Sequence, residues 1–186
     1  MVDPMNIASP RVGVYPGSFN PPTVAHIAVA VAALEQFDLD RVDLAVSTVA
    51  LGKDDVLVPS LDDRVEVIAA SVADVAGVEV VVTERQLVAD IADGYDVVIM
   101  GADKWAQVND VVWYDSPAAR DAALAALPEL ALVSRAGVEV PDGHALVVAD
   151  EYADVSSTAV RAGRREWMTD AARAFGARHR VWGFGD

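Results

Sequence analysis

No cysteine occurs among the 186 residues, which excludes disulfide frameworks and thiolate nucleophiles. The three histidines, His26, His144 and His179, are too widely spaced along the chain to resemble a zinc site. Aromatic side chains are scarce at 6%, so a core has to be assembled from small and branched aliphatic residues. Basic residues are few as well: 14 against 29 acids leave a formal net charge of −15. A surface of that sign repels nucleic acid and anionic membranes, which argues against both as partners. A small anionic ligand would need a local cation or aligned backbone dipoles. No apolar run reaches the ~18 residues that span a bilayer. Residues 1–10 lack the charged start and apolar middle of a secretion signal. The expectation is a cytoplasmic, soluble protein.

What the chain has in quantity is apolar: 53% of residues are hydrophobic, chiefly Ala and Val, enough to bury a core. Short apolar runs at 11–15, 42–47, 78–83, 96–100, 130–134 and 145–148 lack strict alternation, as strands covered on both faces do. Between and after them lie helical stretches at 23–36, 61–73, 86–92, 117–126, 157–164 and 166–175. Strand followed by helix, repeated without a linker, predicts an α/β fold. Its form is a Rossmann-like, doubly wound parallel sheet, in a single domain over residues 1–186. Ligands of such sheets settle outside the carboxyl ends of the strands, where strand order reverses. The loops after Tyr15, Ser47, Met100 and Ser134 are therefore the places to search.

The loop after the first strand reads Tyr15-Pro16-Gly17-Ser18-Phe19-Asn20-Pro21-Pro22-Thr23-Val24-Ala25-His26. Gly17 and Ser18 let backbone N–H groups approach a phosphate, and Pro21-Pro22 stiffens the entry to the helix. Thr23 falls at the helix N-terminus and His26 three residues on, on the same face, beside a natural anion site. Taken singly, Thr23 serves equally as a helix cap and His26 as an ordinary polar residue. Near the other end, Val155-Ser156-Ser157-Thr158-Ala159-Val160-Arg161 opens a helix with three hydroxyls and a permanent cation one turn along. Alone, it reads equally as a cap with a surface arginine. Gly101-Ala102-Asp103 follows the fourth strand, where Asp103 suits either ribose hydroxyls or a cap on residues 104–108.

These residues together resemble the nucleotidyltransferase superfamily that carries an [HT]-x-G-H motif, nearest to the bacterial nicotinate-mononucleotide adenylyltransferases. Gly17-Ser18-Phe19-Asn20-Pro21 with Thr23-x-x-His26 is similar to the first signature, and Val155–Arg161 to Ile-Ser-Ser-Thr-x-x-Arg. Pro16 stands where the family has a first Gly. Thr23 replaces the first His, as in the pantetheine-phosphate adenylyltransferases, and Ala25 replaces the motif's Gly, adding a methyl where phosphate comes close. The resemblance implies transfer of AMP from ATP to a phosphorylated acceptor with release of pyrophosphate, Mg2+ as cofactor and a place in NAD biosynthesis. It implies His26, Thr23 and Arg161 as catalytic residues, His26 acting protonated. Gly17, Ser18, Phe19, Gly101, Asp103, Ser156, Ser157 and Thr158 would bind nucleotide. Lys53, Arg64 and Trp113 would face the acceptor, against the plain readings of loop charge, a surface pair with Glu66 or an Asp, and a hydrophobic plug. Trp105 has the same two readings as Trp113, and residues 132–137 resemble the family's Val-x-x-Arg-Pro-Gly segment.

Partners are then ATP or another nucleoside triphosphate and a small phosphorylated molecule, with a homo-oligomer left open. Rival readings are a non-catalytic nucleotide-binding protein on the same fold, and a CTP-dependent or pantetheine-phosphate-type transferase. The segment 84–94 is where the likeness thins. It is short and sets Glu84, Asp90 and Asp93 against Arg85 alone, which predicts poor use of nicotinate mononucleotide.

Overall fold

The computed structural model describes residues 9–48, 58–134 and 140–185. All six anticipated strands form: β1 Val12–Pro16, β2 Arg41–Ser47, β3 Val78–Thr83, β4 Val97–Gly101, β5 Glu129–Val133 and β6 Ala145–Leu146. They pair in parallel in one sheet, in the order β3-β2-β1-β4-β5-β6. The chain winds outward from β1 through β2 to β3, then returns to the far side of β1 and winds the other way. Strand order reverses between β1 and β4, which lie side by side through Gly13↔Val97 and Val14↔Val98. The crevice above the carboxyl ends of these two strands is the switch point of a doubly wound sheet.

Both faces of the sheet are covered, which is why the strand sequences are apolar at odd and even positions alike. On β4, Val97 and Ile99 join one core with Val29, Ala30 and Ala33 of helix α1 (Val24–Gln36) and with Ile68 and Val72 of α2 (Leu61–Val72). Val98 and Met100 face the opposite core. There they meet Val88 and Ile91 of α3 (Val88–Ile91) and Val108 of α4 (Ala102–Val108), with Leu124 of α5 (Pro117–Ala125) at the margin. A third cluster under α2 gathers Val67, Val160 of α6 (Ser157–Arg161), Met168, Ala172 of α7 (Asp170–His179) and Trp182. No described helix is long and apolar enough to cross a membrane.

Four helices differ from their sequence reading. The one expected over 157–164, α6, ends at Arg161. The stretch 86–92 yields a single helical turn, α3. The next helix starts at Ala102, with Gly101 as its cap, so Asp103 lies inside its first turn rather than capping it. The last helix runs four residues later than 166–175, because Thr169 is its cap, its hydroxyl accepting from the Ala172 N–H at 3.2 Å. Gly176 lies within α7 because a Cβ there would stand 3.0 Å from the Phe184 ring. The C-terminal tail folds back over that glycine.

Candidate active site

The turn after β1 is held from every side. The Gly17 N–H extends the sheet by donating to Ala45 O at 3.0 Å. A side chain on Gly17 would meet the Phe19 ring at 2.8 Å, so the glycine is needed for close approach. Phe19 takes a left-handed φ of 42° and is buried edge-on against Tyr15 (5.4 Å between centroids) and His26 (5.0 Å). The Ser18 carbonyl accepts from Arg64 Nη1 at 3.1 Å, and the peptide between Ser18 and Phe19 is trans. The Phe19 N–H therefore points the opposite way from Arg64. Among the described residues the N–H groups of Ser18 and Phe19 have no partner. Two adjacent backbone donors at the carboxyl end of β1 form the beginnings of an anion cradle.

Thr23 caps α1 and is fully buried. Its N–H donates to His26 Nδ1 at 3.0 Å, and its hydroxyl lies 2.9 Å from the same nitrogen. Nδ1 is thus an acceptor, so the neutral ring carries its proton on Nε2. The expectation of a protonated His26 is corrected on this point: an imidazolium would set an Nδ1 proton against the Thr23 N–H. Thr23 thereby fixes the tautomer and orientation of the His26 ring.

The second motif lies directly against the first. Ser156 caps α6, accepting from the Ala159 N–H at 3.1 Å. The Ser157 hydroxyl donates to Pro21 O at 2.7 Å. Arg161 donates from Nη1 to Asn20 O and from Nη2 to Thr158 Oγ1 at 3.3 Å. Two segments separated by 136 residues in the chain are hydrogen-bonded at the switch point. Gly101 ends β4, next to β1, and leaves the Asp103 carboxylate exposed in the first turn of α4.

Beside these segments, at the carboxyl ends of β5 and β6, lies a cavity of about 360 Å³. Ala25, Val29, Leu146 and Tyr152 are among the residues that line it, and Ser134 is at its edge. It falls in the size range of small-molecule sites. The Ala25 methyl, expected near phosphate, instead forms part of this apolar wall and is 1% exposed.

The three residues expected at an acceptor diverge. Arg64 is not the surface pair its plain reading allowed: it is 4% exposed, and among the described residues no partner meets its Nε. Burial lowers its pKa from the ordinary range. It supports the turn after β1 through the Ser18 carbonyl. Trp113 lies half-buried in a 3₁₀ turn, Val111–Trp113, outside the described core clusters, whereas Trp105 packs on the core behind β4 as a plug. Lys53 and residues 135–137 lie outside the described residues. In the segment 84–94, Arg85 donates to Asp90 O and pairs with Asp93 at 3.2 Å.

Two contributors escaped the sequence reading. Asn20, between the motif residues, accepts at its backbone from Arg161 and at Oδ1 from the Trp182 indole at 2.6 Å. The one available signal was the tail Val181-Trp182-Gly183-Phe184, two aromatics in a chain that has few.

The comparisons with known proteins agree with this fold. Phosphopantetheine adenylyltransferase of Cutibacterium acnes is 35% identical over 89 residues, 47% of this chain and 54% of that protein. The chain thus spans about half the length of the curated relative it matches. The solved structure of Plasmodium falciparum nicotinic acid mononucleotide adenylyltransferase complexed with NaAD superposes with a TM-score of 0.68. It covers 95% of this chain and 98% of that one at 10% identity. The complex of that enzyme with APC gives 0.63 over the same shares, also at 10% identity. At that identity the likeness is one of fold. The cytidylyltransferase-like family model matches residues 14–163, from β1 through α6, and the chain belongs to that family.

Proposed function

We propose that the chain transfers the adenylyl group of ATP to the phosphate of a small acceptor. The observation that carries this reading is the direct bonding of the turn 17–21 to residues 157–161 at the switch point of the sheet. An oxygen of the acceptor phosphate attacks the α-phosphorus; the bond from that phosphorus to the bridging oxygen breaks, and pyrophosphate leaves with the electron pair. The attacking oxygen is already ionised, so no general base is required. What the step needs is alignment and donors aimed at the developing charge. The N–H groups of Ser18 and Phe19 and the Nε2–H of His26 supply donors at the α-phosphate. The remaining guanidinium N–H groups of Arg161, with the hydroxyls of Ser156 and Thr158, hold the leaving β- and γ-phosphates, while Ser157, whose proton goes to Pro21 O, ties the two segments together. Gly101 and Asp103 take the ribose, and the cavity beside Ala25 takes the base.

Mg2+ belongs to the substrate in this proposal. No group of three ligating side chains occurs among the described residues. An ion carried by triphosphate and water needs one or two protein oxygens at most. The proposal takes the chain to act in the cytoplasm, in keeping with a sequence without cysteine.

The acceptor is where the two kinds of relative part. A carboxylate-bearing pyridine nucleotide needs a stacking wall and donors for its carboxylate. Trp113 supplies a wall, but Arg85, the sole cation of the segment 84–94, is committed to Asp90 and Asp93. Pantetheine phosphate asks for no carboxylate donors, and Thr23 at the first motif position matches that type of enzyme. Steady-state pyrophosphate release, with ATP or CTP and each acceptor in turn, tests the reading. Turnover is expected with ATP, and nicotinate mononucleotide is expected to be poor. With that acceptor, kcat/KM at or above about 10⁴ M⁻¹s⁻¹ would reverse the acceptor assignment, and no release with any pair would sink the transfer reading. A second reading, a nucleotide-binding protein without turnover, draws on one observation: Ser157 is already bonded to Pro21 O, Arg161 to Asn20 O and Arg64 to Ser18 O.

A further inference from the structure

Trp182, in the segment that follows α7, is 4% exposed. The chain reverses after α7 through left-handed residues at Arg180 (φ 58°), Trp182 (φ 56°) and Gly183 (φ 86°). For a bulky side chain such a φ is costly and persists only where the surroundings fix it. The reversal drives the indole between α2, α6 and α7, onto Val67, Val160, Met168 and Ala172. Apolar packing would be satisfied there by any large ring. The indole N–H goes further: it donates to Asn20 Oδ1 at 2.6 Å, with both groups buried. An indole nitrogen can only donate, so this contact also fixes which way the Asn20 amide faces.

Asn20 is the residue on which the site converges. Its carbonyl accepts from Arg161, its neighbour Phe19 packs on the His26 ring, and the Ser18 carbonyl before them accepts from Arg64. We propose that Trp182 is a positioning residue of the active site. Its N–H fixes Asn20, and through Asn20 it keeps the turn 17–20 in the shape that aims the Ser18 and Phe19 N–H groups and the His26 ring at the α-phosphate. This rests on the adenylyl-transfer reading. It adds that the C-terminal tail is a working part of the site and not merely a plug under α2.

Trp182→Phe in the full chain keeps a ring in the cluster and removes the N–H. The expected result is a kcat about tenfold lower, the scale of one buried hydrogen bond, with KM for ATP changed by less than about twofold. Asn20→Ala removes the acceptor instead, and the double variant is expected to lose no more than the worse single one. A plug alone would lower the melting temperature and leave turnover per folded molecule unchanged; that result, or additive losses, overturns the proposal. One readout does not depend on turnover, so it separates this proposal from the adenylyl-transfer reading. The Trp182 indole proton, identified by NMR through its loss in Trp182→Phe, is expected to exchange with solvent at least about tenfold faster in Asn20→Ala. Should Trp182→Phe fail to fold, the same proton is identified in the wild type by its contact with Asn20. Unchanged exchange in Asn20→Ala overturns the proposal, whether or not any acceptor supports pyrophosphate release.

Discussion

His26 has one ring nitrogen committed to Thr23, and that commitment decides what the other can do. With Nδ1 accepting at 3.0 Å, Nε2 carries the proton of the neutral ring and donates without any need for a charged imidazole. In the proposed transfer its donation would count most where negative charge grows, on the oxygens of the α-phosphate. His26→Ala should then lower kcat by about 10²-fold or more, the scale for losing one preorganised donor. Single-turnover pyrophosphate release by the folded variant checks this, and a near-normal rate would remove His26 from the mechanism. Gly17 and Phe19 work by shape, the glycine leaving the space into which the Phe19 ring packs.

At the scale of elements, the end of the sheet opposite the site is held by a buried polar knot. Asp43 on β2, 1% exposed, bonds Arg41 at 2.8 Å and the Tyr95 hydroxyl at 2.9 Å. Burial first, then the bond to Asp43, pushes the Tyr95 pKa up to about 12, with Arg41 opposing. The folded state thus holds this proton more tightly than the unfolded chain does. The associated stability is fully present below about pH 10 and is lost as pH rises through about 12. Denaturant midpoints on either side of this window should fall with pH in the wild type and less steeply in Tyr95→Phe. Equal slopes would take Tyr95 out of the alkaline transition.

The strands were legible because they are short, mostly apolar runs without strict alternation, as strands covered on both faces tend to be. α1 was legible from its cap, Thr23. The start of α4 and the span of α7 were not. Gly101 and Gly176 read as breaks in sequence, but one caps a helix and the other makes room for Phe184 from the tail. Within the candidate site, the two motif segments were legible because a tight turn and a helix start demand small and hydroxyl-bearing residues at fixed local spacing. The supports were not. Arg64 meets Ser18 across 46 positions and Trp182 meets Asn20 across 162, and no local pattern announces a contact of that range.

For the whole molecule, a net charge of −15 opposes the approach of a triphosphate, so binding has to be a local matter. The fold provides for this by winding outward in two directions from β1 and β4 and returning Ser157 and Arg161 to the crevice between them. Charges beyond about 10 Å are largely screened at ordinary ionic strength, which leaves the donors of the crevice to decide affinity. If the turn 17–26 and residues 156–161 make one triphosphate site, Arg161 touches the β- and γ-phosphates and nothing of AMP. Calorimetric titration of the wild type and Arg161→Ala with ATP and with AMP tests this most directly. The affinity for ATP should fall by roughly tenfold or more, the scale of a charge-assisted hydrogen bond, while that for AMP stays within about twofold. Equal losses for both nucleotides, or none for either, would contradict the placement of the triphosphate between the two segments.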